Sequence, residues 1–365
     1  MDYIYLKNLD KKVSQIALGV NKTGNKHSNT EDTVNKRIYF YHKAMDMGIN
    51  MFDTAELYGG GYSEEILGLA LHNRREQAII CSKFNARNSH KKDLQTSLNN
   101  SLKRLNTDYI DFYLSHWRNP EIPVQELIES LKEFKKQGRI KAYGIGNAVF
   151  SEIKEFDEKN KNNFFVVENE FNLLQKESLE KTIPFCNDNN HLFLAYSPFL
   201  QGKKIKFSPE ILSLTTKYNC TIHQLMLSWV LQKNVVSIIR TMSTEHLEQN
   251  LKSTKINLSI NDCHTLEQLF STKKDLINID DVLIDERCYV SSKQAIDNKD
   301  DLIPSPQLLA ERLKNNFELP PLRTVYENGK YKILDDYYFS EIKKYWAWKI
   351  CNRKKIEAFV FNDIS

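Results

Sequence analysis

The sequence predicts an α/β fold: a (β/α)8 barrel, or TIM barrel, with an additional small α+β domain at its C-terminal end. Between residues 14 and 255, eight short apolar runs alternate with longer amphipathic segments, and the pattern changes after about residue 275. Short, nearly continuous apolar runs are typical of parallel strands that are buried on both faces. Eight strand–helix units favour a closed barrel, whereas five or six would favour an open sheet.

The predicted strands are the apolar runs themselves, each of which is closed by a polar residue or a glycine. They are Ser14–Gly19, Met51–Thr54, Ala78–Ser82, Asp111–Leu114, Lys141–Gly144, Phe164–Val167, Leu192–Tyr196 and Val235–Ile239. Apolar residues at helical spacing predict helices between them, for example over Asn35–Met47 and Val124–Gln137. Gly138 follows the second of these helices, where a glycine often ends a helix.

The C-terminal quarter has a different organisation. The sequence predicts a barrel over residues 1–275, a polar linker over 276–303 and a small α+β module over 304–365, whose start could lie near 280. The dipeptide Asn328-Gly329 is a strong turn signal between two short apolar runs, so it predicts a hairpin. The predicted elements are a helix at Gln307–Asn315, strands at Leu322–Tyr326 and Tyr331–Leu334, a helix at Ser340–Cys351 and a strand at Ile356–Phe361.

Composition narrows the classes of protein. The 365 residues include 51 basic and 47 acidic side chains, a net charge of +4 that gives little electrostatic reason to expect nucleic acid. No apolar run is long enough for a membrane-spanning helix, and the first residues do not resemble a signal peptide, so we expect no membrane partner and a cytoplasmic location. The six cysteines form no C-x-x-C pair and no zinc spacing, so we expect no metal.

Four titratable residues follow the predicted strands, where barrels of this kind place their catalytic groups. They are Asp53, Tyr58, Lys83 and His116. Reduction of a carbonyl leaves an alkoxide that must be protonated. A phenol, with a pKa of about 10, becomes a better acid beside a buried ammonium, which in turn needs a carboxylate partner. A histidine can orient the substrate oxygen.

Each of these residues has a simpler explanation when taken alone. Asp53 could cap a helix, Tyr58 could pack in the core, Lys83 could be a solvated strand end and His116 could be an ordinary core histidine. Their joint occurrence at successive strand ends favours a proton-delivery set.

The segments around these residues resemble the aldo-keto reductases. Phe52-Asp53-Thr54-Ala55-Glu56-Leu57-Tyr58-Gly59, the following Gly61–Gly68, Ser82-Lys83 and Leu114-Ser115-His116-Trp117 occur in the order typical of that family. The resemblance covers about residues 1–275. It implies that the chain is an NADPH-dependent enzyme that reduces an aldehyde or ketone to an alcohol, with Tyr58 as the proton donor.

The resemblance also implies a cofactor site. No Gly-x-Gly-x-x-Gly segment opens a helix, so the sequence does not support a Rossmann site. By resemblance, Asn147 and Glu168 bind the nicotinamide carboxamide, and the ring stacks on Tyr196 beside Ser197. The segment after the eighth strand, which holds the 2′-phosphate and the adenine, supplies Arg240, Thr241, His246, Gln249 and Asn250. Because a guanidinium and a hydroxyl suit a phosphate, NADPH is favoured over NADH.

Four positions of this cofactor site differ from the family pattern. Gly146 stands where the family has serine, Glu168 where it has glutamine, Ile239 where it has proline, and His246 where arginine is common. A carboxylate at 168 can accept a hydrogen bond from the carboxamide but cannot donate one. We therefore expect a recognisable but altered cofactor site.

The substrate is not specified by the sequence. Trp117 and Arg118 follow the predicted catalytic histidine and are the expected substrate contacts. Polar loops near the site favour a small-molecule carbonyl compound that is hydroxylated, such as a sugar or a sugar nucleotide. The alternative function is an NADPH-binding sensor or regulatory barrel without turnover, against which the intact set of four residues argues.

The C-terminal module is similar to the ParB-like and sulfiredoxin-like small fold, in Pro306-Gln307-Leu308-Leu309 and in Tyr331–Asp336. In that fold a glycine at a turn binds nucleotide phosphates, but Asp336 replaces the glycine here and would repel them. Nucleotide or nucleic-acid binding is therefore disfavoured. A packing module, or one that forms a homo-oligomer, is expected instead.

Overall fold

The computed structural model describes two compact units. The first consists of Met1–Phe199 with Ser213–Ile260, and the second of Leu200–Leu212 with Asn261–Ser365. Within these, the residues described are 1–21, 30–119, 121–199, 207–270, 273–283, 306–314, 319, 321–327, 329–333 and 340–361. Among them, no helix combines the length and the apolar character that crossing a membrane requires.

Ten strands lie in the described part of the first unit. They are β1 (Tyr3–Leu6), β2 (Lys11–Ser14), β3 (Ile16–Gly19), β4 (Met51–Asp53), β5 (Ile79–Phe84), β6 (Ile110–Ser115), β7 (Ile140–Gly146), β8 (Val166–Glu170), β9 (Leu192–Tyr196) and β10 (Val236–Ile239). Strands β1 and β2 form an antiparallel hairpin, which the sequence did not predict. The other eight form a closed parallel barrel in the order β10-β3-β4-β5-β6-β7-β8-β9. The prediction of an eight-stranded barrel is therefore confirmed.

Helices separate the barrel strands along the chain, and two more follow the last of these strands. They are α1 (Glu31–Asp46), α2 (Tyr62–Leu71), α3 (Lys91–Leu105), α4 (Val124–Lys136), α5 (Phe150–Asn160), α6 (Glu177–Glu180), α7 (Thr182–Asp188), α8 (Pro209–Lys217), α9 (Ile222–Leu231), α10 (Thr244–Lys252) and α11 (Ile260–Leu269). Polar caps begin several of them: the side chains of Thr30, Thr221 and Ser243 accept hydrogen bonds from backbone N–H groups in the first turns of α1, α9 and α10.

The interior of the barrel is filled by apolar side chains from its strands. Alternate strand residues point inward, and they form one buried cluster that includes Ala17, Met51, Phe112, Val166 and Leu194. Close strand packing accompanies this filling: a Cβ on Gly144 would lie 1.8 Å from the backbone oxygen of Val166, so only glycine fits there. The filled interior leaves the carboxyl ends of the strands, and the loops after them, to form a site.

The second unit contains a five-stranded sheet. Its strands are β11 (Lys273–Asn278), β12 (Val282–Leu283), β13 (Leu322–Glu327), β14 (Lys330–Ile333) and β15 (Lys355–Phe361), in the order β11-β15-β13-β14-β12. Helices α12 (Pro306–Lys314) and α13 (Ser340–Ile350) share an apolar core with it. Strands β13 and β14 form the antiparallel hairpin that the sequence predicted, with Gly329 at φ 81° in the turn.

Strand β11 begins before residue 275, where the sequence analysis ended the barrel, and β12 lies within the 276–303 range that it assigned to a linker. Strand β11 pairs with β15, and β12 pairs with β14. The strand β11 has one buried and one exposed face, as Ile277 (2% exposed) and Leu276 (58% exposed) show. Such alternation over a short span looks polar in composition, which is why the strand was missed. Residues 284–303 of the expected linker lie outside the described residues.

Candidate active site

The barrel brings together the titratable residues that follow its strands. Asp53 is the last residue of β4, and Lys83 is the fifth of the six residues of β5. His116 directly follows β6, and Glu168 is the third residue of β8. Since all of these strands are parallel and closed into one barrel, their carboxyl ends meet on one face.

The Lys83 ammonium lies at the centre of this group. It donates hydrogen bonds to Asp53 Oδ1 and, at 3.0 Å, to the backbone oxygen of Thr54. It also forms an ion pair with Glu168 Oε1 at 3.2 Å. Burial alone would lower the pKa of Lys83, but the Asp53 and Glu168 carboxylates more than offset it and hold that pKa well above its usual value. The ammonium is therefore a permanent positive charge in the site.

Glu168 is a buried carboxyl group with an unusual proton affinity. Burial, together with the nearby negative charge of Asp53, raises its pKa from 4.5 to about 8, although the Lys83 ammonium acts in the opposite direction. Its Oε2 also lies 3.8 Å from the thiol of Cys81. Burial, with the charges of Asp53 and Glu168, raises the pKa of the Cys81 thiol well above its usual value, against the effect of Lys83, so this thiol is unreactive.

The side chains of Asp53, Cys81 and Glu168 include atoms of the kind that bind metals, and these atoms lie within 4.8 Å of one another. However, the cation that contacts this group is the ammonium of Lys83, which bonds to both carboxylates. The geometry therefore corresponds to a buried ion network in which the ammonium occupies the position of a cation.

Tyr58 and His116 lie beside the ammonium. The Lys83 Nζ atom is 5.5 Å from the centre of the Tyr58 ring, and the Tyr58 and His116 rings are 5.6 Å apart in an edge-to-face arrangement. Burial, and to a smaller extent the charge of Lys83, lower the pKa of His116 well below 6.5. The imidazole is therefore neutral at pH 7. Its buried Nδ1 has no hydrogen-bond partner among the described residues.

The loop that carries Tyr58 is fixed by its glycines and by one acidic side chain. Gly59 and Gly60 have φ values of 63° and 67°, a backbone conformation that favours glycine. Glu56 Oε1 accepts hydrogen bonds from the backbone N–H of Asn85 at 2.6 Å and from the side chain of Asn88 at 3.0 Å. These bonds tie the loop after β4 to the loop after β5 and so hold Tyr58 near Lys83.

The residues expected at the nicotinamide are linked to His116. The Asn147 side chain, on a residue with φ 52°, donates to the backbone oxygen of His116 at 3.0 Å. Its Oδ1 accepts a hydrogen bond from the Tyr196 hydroxyl at 2.6 Å. Ser197 also has a positive φ, 58°, and its backbone oxygen accepts from the Asn172 side chain at 3.0 Å. The structure thus brings Asn147 and Tyr196 into direct contact.

The expected phosphate and adenine residues form a separate group after β10. Arg240 is exposed, and His246 is exposed on the first turns of α10. The hydroxyl of Thr241 accepts from the backbone N–H of Ser243 at 3.0 Å, which fixes the entry to that helix. On the same helix, Gln249 accepts from the side chain of Gln224, and Asn250 is buried.

The two expected substrate residues have different surroundings. The Trp117 ring stacks on His116, with ring centres 3.9 Å apart and an angle of 11° between the planes. Arg118 is buried, and its guanidinium donates to the backbone oxygen of Asn119. Trp117 therefore orients the imidazole, whereas Arg118 supports the backbone of its own loop.

Two contacts in the site were not predicted from the sequence. Cys81 was left out, although it lies two residues before Lys83 and so points to the same face of β5. This alternation is a signal that could have identified it. The ion pair between Glu168 and Lys83 was also missed, because β5 and β8 are not neighbours in the barrel and no local pattern connects them.

Comparison with known proteins shows the family to which the chain is similar. The model of the aldo/keto reductase family matches residues 15–270. The aldo-keto reductase YhdN of Bacillus subtilis is 31% identical over 212 residues, which are 55% of this chain and 63% of that protein. The methylglyoxal reductase YeaE of Escherichia coli is 25% identical over 242 residues, 65% of this chain and 85% of the relative.

Solved structures show the same likeness. The thermostable aldo-keto reductase Tm1743, in complex with the inhibitor epalrestat, is 33% identical, with a TM-score of 0.68 over 74% of this chain and all of that chain. An aldo-keto reductase from Klebsiella pneumoniae in complex with NADPH is 26% identical, with a TM-score of 0.67 over 74% of this chain and 96% of that chain. The family match ends at residue 270, so the ParB-like resemblance of the C-terminal module stays a prediction.

Proposed function

Because the chain belongs to the aldo/keto reductase family, we propose that it reduces an aldehyde or ketone to an alcohol with NADPH, and that Tyr58 donates the proton. When bound, NADPH supplies the hydride that the carbonyl carbon takes up. Tyr58 transfers its hydroxyl proton to the carbonyl oxygen, which completes the alcohol, and then regains a proton from water. The observation that carries this proposal is the contact between Tyr58, a permanently charged Lys83 and a neutral His116.

The charge states divide the roles within the site. A neutral imidazole can form a hydrogen bond to the carbonyl oxygen, but it holds no spare proton to transfer at pH 7. We therefore assign His116 to the orientation of the oxygen and Tyr58 to the supply of the proton. The Lys83 ammonium stabilises the phenolate that this transfer leaves behind, while Asp53 keeps the ammonium charged and in place.

The residues expected to bind NADPH fit that cofactor in their chemistry. Arg240 offers a forked guanidinium beside the Thr241 hydroxyl, at the N-terminal end of α10, and such a donor set suits the 2′-phosphate. Asn147 and Tyr196 offer an amide and an aromatic ring for the nicotinamide, and the hydrogen bond between them fixes their relative position. We assign Gln249 and Asn250, on the same helix as His246, to the adenine side.

The substrate is proposed to be a small polar carbonyl compound. Three relatives in Escherichia coli are methylglyoxal reductases, one of them NADH-specific, which supports methylglyoxal as a first candidate. Sugar aldehydes are the next group, in keeping with the polar loops of the sequence. The Trp117 ring, stacked on His116, is assigned to the wall on which the substrate rests, and Arg118 is assigned to the support of that wall.

The proton-donor assignment is tested with the Tyr58→Phe variant. NADPH oxidation is followed by absorbance with methylglyoxal, aromatic aldehydes and sugar aldehydes, and NADPH binding is followed by fluorescence. We expect a fall in kcat of about 10²- to 10⁴-fold, typical of the loss of a general acid, with an unchanged Kd for NADPH. Tyr62→Phe is the matched control, since it removes a hydroxyl four residues away, at the start of α2.

The outcomes of this test separate the alternatives. Activity retained in Tyr58→Phe would remove Tyr58 from the proton-donor role. Tight NADPH binding by the unmodified protein without turnover of any carbonyl compound would instead favour a sensor.

For the choice of cofactor, Arg240→Ala should raise the KM for NADPH by about tenfold or more, as the loss of a charge-assisted contact implies, and should leave the KM for NADH nearly unchanged.

A further inference from the structure

The Lys83 ammonium has two carboxylate partners, and the second is Glu168. The Lys83 Nζ atom bonds to Asp53 Oδ1 and lies 3.2 Å from Glu168 Oε1. The side chains are 1%, 6% and 6% exposed for Lys83, Asp53 and Glu168, so water does not screen these charges. A glutamine at 168, which the family resemblance leads us to expect, would leave the ammonium with Asp53 as its carboxylate partner. Glu168 therefore adds a carboxyl group to the proton-delivery site.

We propose that Glu168 is a second counter-ion of Lys83, a positioning residue that makes Tyr58 keep its proton to higher pH and so extends carbonyl reduction to more alkaline pH. This inference rests on the proposed function. Reduction requires the Tyr58 hydroxyl in its protonated form, because that proton is transferred to the carbonyl oxygen. Oxidation of an alcohol requires the phenolate, because Tyr58 must then accept the proton.

The sign of the effect follows from the charges that surround the two groups. Glu168 faces Lys83, Asp53 and Cys81, and Tyr58 faces Lys83 and His116. The ammonium stabilises a phenolate at Tyr58, whereas each nearby carboxylate opposes it. With Asp53 alone, one negative charge balances the ammonium. When Glu168 is also ionised, the network carries a net negative charge, and a phenolate becomes less favourable.

The effect depends on pH, because Glu168 is itself titratable. Burial and Asp53 raise the pKa of Glu168 to about 8 against the opposing effect of Lys83. Below that pH the side chain is largely a neutral acid, with a charge like that of glutamine. Above it the side chain is ionised and opposes the Tyr58 phenolate. The difference between a Glu168→Gln variant and the unmodified enzyme should therefore grow as the pH rises through about 8.

The first test compares pH profiles of kcat/KM in both directions of the reaction. In Glu168→Gln, we expect the alkaline fall in reduction to begin about one pH unit lower, the size of shift that one nearby buried charge can cause. The pH at which alcohol oxidation reaches its alkaline plateau should fall by the same amount. Glu170→Gln is the matched control, with the same chemical change two residues along β8, and should follow the unmodified enzyme.

The KM for NADPH distinguishes this proposal from a role of Glu168 in cofactor binding alone. If Glu168 serves only to bind the nicotinamide carboxamide, Glu168→Gln will change the KM for NADPH at every pH and leave both pH profiles in place. That result would overturn the proposal. A shift of the profiles with little change in the KM for NADPH at low pH would support it.

The second test needs no turnover and no cofactor. The ultraviolet absorbance of tyrosinate is titrated in the protein alone, and the Tyr58 contribution is isolated by subtracting the Tyr58→Phe variant, because the chain has 17 tyrosines. The same subtraction in a Glu168→Gln background should show Tyr58 ionising at lower pH. Identical titrations would overturn the proposal. Absence of turnover with any carbonyl compound would instead count against the proposed function and leave this titration valid.

Discussion

Two charge networks at opposite ends of the barrel strands have the same kinds of group with the charges reversed. Near the start of β6, Asp111 accepts from Lys11 at 2.7 Å, from Arg75 at 2.8 Å and from the backbone N–H of Ile80 at 3.0 Å. Near the carboxyl end of β5, one ammonium contacts two carboxylates instead. We call these the Asp111 network and the Lys83 network. One has two cations around an acid, and the other has two acids around a cation.

The difference between them lies in access to water. In the Asp111 network, the side chains of Lys11 and Arg75 are 34% and 13% exposed, so solvent screens the excess positive charge. In the Lys83 network all three side chains are at most 6% exposed, so solvent does not screen the excess negative charge. Burial, together with the nearby charge of Asp53, instead raises the pKa of Glu168. Similar ion pairs can therefore stabilise the fold at one end of a barrel and set proton affinities at the other end.

The largest expected effect comes from removing the central cation with Lys83→Met. Two buried carboxyl groups would then lack their partner, and breaking a buried ion pair in this way costs about 3–5 kcal/mol of unfolding free energy. Reduction should fall by about 10²- to 10⁴-fold, because Tyr58 loses the charge that stabilises its phenolate. Denaturant unfolding and steady-state kinetics measure the two effects. Normal activity would show that the ammonium is not part of the proton-delivery set.

The next effect is a pH dependence of the unfolding free energy that arises from Glu168 in the Lys83 network. Glu168 keeps its proton in the folded protein up to about pH 8, whereas an unfolded glutamic acid releases it near 4.5. The folded state therefore binds more protons between these values, and the free energy of unfolding contributed by this group falls as the pH rises through the window. Glu168→Gln should remove this slope.

The measurement is the difference in unfolding free energy between the unmodified protein and Glu168→Gln, from pH 5 to 9. Taking the difference cancels the titration of other groups that both proteins share. His116 is one of them: its pKa is lowered in the folded state, so below about pH 6.5 its titration makes the unfolding free energy rise with pH. We expect the variant to gain stability relative to the unmodified protein as the pH rises. A constant difference across the range would mean that Glu168 ionises normally.

A smaller effect is expected from Asp111→Asn in the other network. The variant removes the acid that Lys11 and Arg75 share, but both cations reach water, and Arg75 keeps its hydrogen bonds to the backbone oxygens of Ala78 and Tyr109. We expect a loss of about 1–3 kcal/mol in unfolding free energy, the usual value for hydrogen bonds to a buried charged group. The kcat should not change. A large loss of kcat at full folding would mean that this network also serves catalysis.

The barrel was largely predictable from the sequence, because each of its strands is buried on both faces. Runs such as Leu192–Tyr196 are apolar throughout, and the structure has a strand with the same bounds. The hairpin β1–β2 and strand β11 were missed, because β1 is largely exposed and β2 and β11 contain several charged residues. Solvent-facing strands leave a weak pattern, and their pairing with distant segments decides whether they form.

The site was predictable in part. The positions of Asp53, Lys83 and His116 follow from the rule that barrel strands carry functional groups at their carboxyl ends. The Glu168–Lys83 contact could not be predicted in the same way. It crosses the interior between strands that are three apart in the barrel, so it depends on the size and closure of the whole fold. The neutral state of His116 also depends on burial, which no local motif encodes.

The smallest expected effect is that of Lys11→Met, which tests the screening argument directly. Lys11 is the more exposed cation of the Asp111 network, and surface ion pairs of this kind contribute about 0.5 kcal/mol. Because Arg75 and the N–H of Ile80 still bond to Asp111, the variant should lose little stability, and the loss should shrink further in high salt. Unfolding curves at low and high salt measure this. A loss as large as that of Lys83→Met, unaffected by salt, would show that solvent does not screen the Asp111 network and that exposure is not what separates the two ends of the barrel.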